Sequence, residues 1–79
     1  MERQIISDIA KNKYEFIRIS RGDYKDKTYI DIRLFFTDRM SGELKPTKKG
    51  ITIPSYLVNQ LKIALGQCEG ASVANSAKS

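Results

Sequence analysis

Apolar and polar positions alternate with a period of two through much of the first two thirds of the chain. That period belongs to strands with one face covered. In Thr28 to Thr37, Ile30, Ile32, Leu34 and Phe36 share one parity, and Tyr29, Asp31, Arg33 and Phe35 share the other. Tyr14 to Ser20 divides likewise into Tyr14, Phe16 and Arg18 against Glu15, Ile17 and Ile19. A short first strand is expected within Gln4 to Ala10, and a further extended piece over Leu44 to Thr52. Tyr24-Lys25-Asp26-Lys27 reads as a hairpin tip, with Gly22 supplying freedom for φ > 0 beside it. Asp38 to Glu43, with Gly42 near its end, reads as a turn. Pro46 has no N–H for a ladder, so it belongs at an edge, a bulge or a bend, and Gly50 points to a second distortion.

The period changes after Ile53. Pro54 suits the first position of a helix, which is expected to run to about Leu65 and stop at Gly66. At about 100° per residue, Leu57, Val58, Leu61, Ala64 and Leu65 form one apolar face, with Tyr56 and Ile63 a second patch round the cylinder. A helix apolar on most of its circumference needs cover on more than one side. Its own sheet supplies one cover and a second copy the other. Residues 1–66 thus read as one domain. Residues 67–79, small and polar, read as a disordered tail.

Composition narrows the chemistry. A domain of 79 residues buries little of its surface and is marginal alone. Its single cysteine, Cys68, forms no internal disulfide. Without histidine, Cys/His zinc sites, serine–histidine triads and Cys–His nucleophile pairs are excluded. No carboxylate cluster stands at catalytic spacing. The expectation is therefore a protein that is not an enzyme and uses no metal or cofactor. No apolar run is long enough to span a membrane, and the N-terminus lacks a signal peptide's apolar run, so an intracellular location is expected.

Charge adds a partner. The excess of +5 lies wholly between Lys11 and Lys49, where eleven basic residues face six acidic ones. Such a surface attracts polyanions, nucleic acid foremost. Basic residues among aromatics are the make-up of single-strand binders, in which cations follow the backbone and rings stack on bases. Alternation puts Phe36 with the core stripe and Phe35 outside. Asp31, on one face with Arg33, reads as its structural charge partner, and Tyr29 as a cross-strand packing partner.

The run YKDKTYIDIRLFFTD, then GELKPTKKGITI, then a helix beginning at proline, resembles the single-stranded-DNA-binding domain of the transcriptional positive cofactor four family. The similarity covers about Tyr14 to Leu65. It implies an α+β fold, a curved four-stranded antiparallel sheet followed by one C-terminal helix (ββββα). It also implies a homodimer made largely through the helices, with Tyr56, Leu57, Gln60, Leu61, Ile63 and Ala64 at the interface. The implied function is binding of single-stranded or unpaired DNA with little sequence preference, in replication, recombination, repair or transcription.

The resemblance also assigns residues. Tyr24 falls where the family has a base-stacking phenylalanine, and Lys25 and Lys27 match its hairpin lysines. Arg33 matches the arginine of the I-D-I-R strand. Phe36 replaces a tryptophan that stacks or packs against DNA, which requires a bulge or strong curvature near Leu34 to Phe36. Lys49 matches a backbone-contacting lysine, with Lys45 and Lys48 in the same basic segment. Departures are Asp26 within the hairpin, where the family has glycine, and Ile53 before the helix proline, where it has asparagine. About a dozen residues precede the domain, so the chain looks like the stand-alone bacterial or phage members, with a cytoplasmic location, or a nuclear one in a eukaryote. The alternatives are an RNA-binding or RNA-chaperone module, a coactivator contacting the polymerase machinery, and a dimerisation module with a merely solubilising basic face.

Overall fold

A computed structural model describes residues 3–70. Four strands, β1 (Arg3–Ala10), β2 (Glu15–Tyr24), β3 (Lys27–Thr37) and β4 (Leu44–Pro54), form one open, curved antiparallel sheet in the order β1-β2-β3-β4. A 3-10 turn, Ser55–Leu57, leads into the helix α1 (Val58–Gly70). The ββββα order is the one the alternation pattern predicts.

Each connection has a local cause. Between β2 and β3 the register runs without a shift to Tyr24 opposite Lys27, so Lys25 and Asp26 alone make the turn. Both have positive φ, 51° and 64°, as a primed two-residue hairpin requires. Left-handed backbone costs an L-residue about 1–2 kcal/mol, and only glycine adopts it freely. Asp26→Gly is therefore expected to raise stability by about 0.5 kcal/mol, net of glycine's own entropy cost. Thermal melting should increase accordingly. Gly22 lies inside β2 opposite Tyr29 and is not among the positive-φ residues, so the turn does not use it. The β3–β4 turn closes with Gly42 at φ 78°, its N–H donating to the Asp38 carbonyl at 2.7 Å.

The register assigns the two faces. Ile17–Leu34, Ile19–Ile32, Ile30–Ile53 and Ile32–Ile51 stand opposite one another and make an apolar face. The other face carries Phe16–Phe35, Arg18–Arg33 and Ser20–Asp31. Among the described residues Ile53 is the one large hydrophobic side chain that is buried. Leu57 and Leu61 are half-buried, while Tyr56, Ile63 and Leu65 are 78%, 53% and 60% exposed.

The helix departs from its expected bounds at both ends. Pro54 keeps extended geometry (φ −67°, ψ 149°) as the last residue of β4 and caps the 3-10 turn rather than opening the helix. At the far end α1 passes through Gly66 to Gly70, so residues 67–70 are helical and not part of a tail. Gly66 weakens a helix by about 1 kcal/mol relative to alanine, but without a left-handed cap or a following proline it does not end one. The rest of the expected tail, 71–79, lies outside the described residues.

Candidate nucleic-acid interface

The polar face is organised around Asp31, which is only 5% exposed. Arg33 lies two residues along the same strand and grips it with a fork: Nε donates to Oδ2 at 3.1 Å and Nη2 to Oδ1 at 2.9 Å. The Thr52 hydroxyl, directly across on β4, donates to Oδ1 at 2.8 Å, and the Arg3 guanidinium stands 3.5 Å from Oδ2. Burial by itself pushes this carboxyl up; the hydrogen bonds from Arg33 and Thr52 and the nearby guanidinium charges outweigh it and hold it below the usual carboxylate range.

Arg33 also shapes β4. Its Nη1 donates to the Thr47 carbonyl at 3.1 Å, while the Thr47 hydroxyl donates to the Leu34 carbonyl at 2.8 Å and accepts from the Lys49 N–H at 3.1 Å. These bonds clasp a bulge. Arg33 pairs with Gly50 and Phe35 with Pro46, so Leu34 alone faces Thr47, Lys48 and Lys49. Gly50 is needed there because a Cβ would stand 2.7 Å from the Ile32 carbonyl oxygen and 2.9 Å from the Arg33 Cα. Pro46 sits on the edge strand, where its missing N–H leaves no ladder bond unmade. The bulge sets Lys48 and Lys49, both exposed, at the rim of the sheet.

Two further groups share this face. The Arg18 guanidinium lies 4.6 Å from the centre of the Phe35 ring and is held by Asp8, with bonds of 2.8 and 3.0 Å. Those bonds from Arg18 hold the Asp8 carboxyl below its usual range. At the hairpin end Tyr24 is 52% exposed, with the Lys25 ammonium 5.3 Å from its ring centre. Lys27 pairs with Tyr24 and shares the parity of Tyr29, Asp31 and Arg33. Among the described residues Lys25, Lys27, Lys48 and Lys49 make no ion pair, whereas Arg18 and Arg33 each hold an acid.

The expected site residues thus fall into two groups. Tyr24, Lys25, Lys27 and Arg33 come together on one face, with Lys48 and Lys49 at its rim. Phe36 and Lys45 do not join them. β3 pairs with β2 without a shift, so Phe36 keeps the parity of Ile30, Ile32 and Leu34 and lies on the apolar face, 40% exposed. The irregularity lies in β4 between Pro46 and Gly50, the two residues that pointed to distortion there, and β3 lacks the bulge that Phe36 would have needed to change face. Lys45 stands opposite Phe36 and is bound to Asp38 at 2.9 Å, which holds that carboxyl below its usual range. The ring that shares a face with Arg33 is Phe35. The sequence reading did not single out Arg3 and Arg18; their roles depend on pairing with β1, which the alternation pattern alone does not fix.

This arrangement has relatives. Residues 11–64 match the family model Transcriptional Coactivator p15 (PC4). The RNA polymerase II transcriptional coactivator SUB1 of Saccharomyces cerevisiae is 38% identical over 56 residues, covering 71% of this chain and 18% of that protein. This chain therefore spans less than a fifth of that relative. The structure of a PC4 homologue from Burkholderia pseudomallei superposes with a TM-score of 0.76 at 34% identity, covering 86% of this chain and 98% of that one. A bacteriophage T5 homologue of PC4, described as implicated in recombination-dependent DNA replication, superposes with a TM-score of 0.66 at 25% identity, covering 99% and 90%. On the matched residues and the shared fold, the chain belongs to the family of the transcriptional coactivator p15 (PC4).

Proposed function

We propose that this protein binds single-stranded DNA, largely without regard to sequence, through the polar face of its sheet, and performs no catalysis. The observation that supports the reading most is the placement of Tyr24, Lys27, Arg33 and Phe35 on one face, with Lys48 and Lys49 lifted onto its rim by the β4 bulge. Rings offer stacking surface to any base, while the unpaired lysines meet phosphates. Lys25 and Lys27 hold the strand at the hairpin end and Lys48 and Lys49 at the opposite edge. Arg33 keeps guanidinium protons beyond its three bonds for a phosphate. The T5 relative's link to recombination-dependent replication favours DNA handling over polymerase contact as the process served. The site of action is then the cytoplasm of a bacterium or an infected cell.

Competition for a labelled single-stranded DNA by unlabelled DNA, RNA and duplex of equal length tests this reading. The single-stranded DNA should displace the label at the lowest concentration. Displacement by RNA at a lower concentration would instead make this an RNA-binding module.

The same proposal includes a homodimer. One buried large hydrophobic side chain is little core for a folded domain, and the exposed Tyr56 and Ile63 offer an apolar helix surface for a second copy. Leu57, Gln60, Leu61 and Ala64 complete that surface. Light scattering of the purified protein should give twice the 9.0 kDa chain mass. Tyr56→Asp with Ile63→Asp should shift it to the mass of one chain, because charges buried in such an interface have no partner.

A further inference from the structure

The β1–β2 loop and the β3–β4 turn meet at the end of the sheet away from the hairpin, where the Thr37 N–H donates to the Tyr14 carbonyl at 2.8 Å. We propose that this end is a third phosphate-binding point for the single strand, formed by Lys13 and Arg39 around the Tyr14 ring. The proposal rests on the single-strand reading above and extends its track to the far end of the sheet.

Three observations lead to it. The first is the convergence of charge. The Arg39 guanidinium lies 4.7 Å from the centre of the Tyr14 ring and the Lys13 ammonium 5.7 Å from it. The two cations are thus held within about 10 Å of each other, about one Debye length at 0.1 M salt. A cation over an exposed ring is a weak contact, here shared by two charges that repel each other. An anion between them relieves that repulsion. Among the described residues neither cation makes an ion pair, and two of the three acids in these loops are bound to other residues. Glu15 accepts from the Asn12 side-chain amide at 2.6 Å and stands 3.9 Å from Lys11, while Asp38 is held by Lys45 at 2.9 Å.

The second observation is order. The Asn12 Oδ1 accepts from the N–H groups of Tyr14 and Glu15 at 3.0 and 2.9 Å. In the facing turn the Asp38 N–H donates to the Glu43 carbonyl at 2.8 Å, and the Met40 N–H to the Asp38 Oδ1 at 2.9 Å. Both loops are therefore tied before any ligand arrives, and binding there does not bear the cost of ordering them. The third is position. Tyr14 keeps the parity of Phe16 and Arg18, so it continues the polar face of the sheet. β3 runs 11 residues from Lys27 to Thr37, about 35 Å at about 3.4 Å per residue. Lys48 and Lys49, beside Leu34, stand between its two ends. Cations therefore occur at three stations along one face. The Tyr14 ring, engaged by two cations, holds charges for a phosphate and is not a stacking surface; its hydroxyl adds a donor.

The test pairs Lys13→Gln, Arg39→Gln with a control, Lys62→Gln, which removes an exposed cation from α1. Each is titrated over a range of salt on a single-stranded oligothymidylate of about 16 nucleotides, the upper end of single-strand site sizes. The double variant should lose about 1.4 from the slope of log affinity against log salt, at about 0.7 for each phosphate contact, and about ten-fold or more in affinity at 0.1 M salt. This comes in addition to the slope that Lys25, Lys27, Lys48 and Lys49 set. Lys62→Gln should bind as the wild type does, and the charge-keeping exchange Lys13→Arg, Arg39→Lys should retain the wild-type slope. In the wild type, the amide resonances of Lys13, Tyr14 and Arg39 should shift when the strand is added, a reading that needs no variant. An unchanged slope in the double variant, whether or not its melting temperature falls, overturns the third point and leaves the rest of the track in place; the cations would then only pack on Tyr14. A loss of slope in Lys62→Gln as large as that for each loop-end cation overturns it too, since any surface charge would then serve. Loop-end resonances that do not respond to the strand have the same consequence. A wild type that binds no single strand removes the single-strand reading itself, and this point with it.

Discussion

Asp31→Ala is expected to destabilise the protein by about 3 kcal/mol and to lower its melting temperature by about 12 °C or more. Asp31 is the shared acceptor of Arg33 and Thr52 and lies beside Arg3. Removing it leaves a guanidinium in the sheet without its counter-charge. Breaking a buried pair from one side costs about 3–5 kcal/mol, and the lower end applies because the Arg33 side chain remains 25% exposed. The damage should reach β4, since a loosened Arg33 also releases the Thr47 carbonyl and with it the bulge that carries Lys48 and Lys49. Asp31→Leu with Arg33→Met should recover part of the lost stability by replacing the ion pair with apolar packing, but should not restore DNA binding. Chemical denaturation of the three proteins checks both statements. The pH dependence has a fixed sign. The folded carboxyl titrates below the unfolded value of about 3.9, so its contribution is fully present above about pH 4 and is lost as pH falls through the lower folded value. In Asp31→Ala that acid-dependent part should be absent.

The combined change Tyr24→Ala, Lys27→Ala and Lys49→Ala should lower single-strand affinity about 100-fold or more with little change in melting temperature. All three residues are exposed. The stacking ring contributes about 1–3 kcal/mol per base. The two lysines together should remove about 1.4 from the slope of log affinity against log salt, at about 0.7 for each single-strand phosphate contact. The singles separate the roles: Tyr24→Ala reduces affinity at constant slope, while either lysine change reduces the slope. Titrations at several salt concentrations read both quantities. Unchanged affinity in the triple variant would leave the basic face a solubilising surface and the chain a dimerisation module.

Much of this was legible in the residues. The alternation of Ile30, Ile32, Leu34 and Phe36 against Tyr29, Asp31, Arg33 and Phe35 is the observed division of the sheet, and two residues of separation were enough to pair Asp31 with Arg33. Pro46, lacking a donor, pointed to an edge, a bulge or a bend, and it lies on the edge strand at the margin of the bulge. The illegible parts depend on contacts distant in sequence. Thr47 reads as an ordinary strand residue until it is seen bonded to Leu34 and Arg33; Pro46 and Gly50 marked the distortion of β4, but not the residue that clasps it. The helix end was misplaced because glycine is a strong stop only where the backbone turns left-handed, which Gly66 does not do. Gly22 drew attention as a turn residue, while it lies inside β2 opposite Tyr29.

The most direct test of the central claim is a salt titration of the wild-type protein on a single-stranded oligonucleotide and its matched duplex. With Lys25, Lys27, Lys48 and Lys49 as the phosphate-binding cations and rings that reach only exposed bases, the single strand should be strongly preferred, and log affinity should fall with log salt at a slope of about −3 per protomer. Equal affinity for strand and duplex at every salt concentration would contradict it, because only the attraction of a basic surface for any polyanion would then remain.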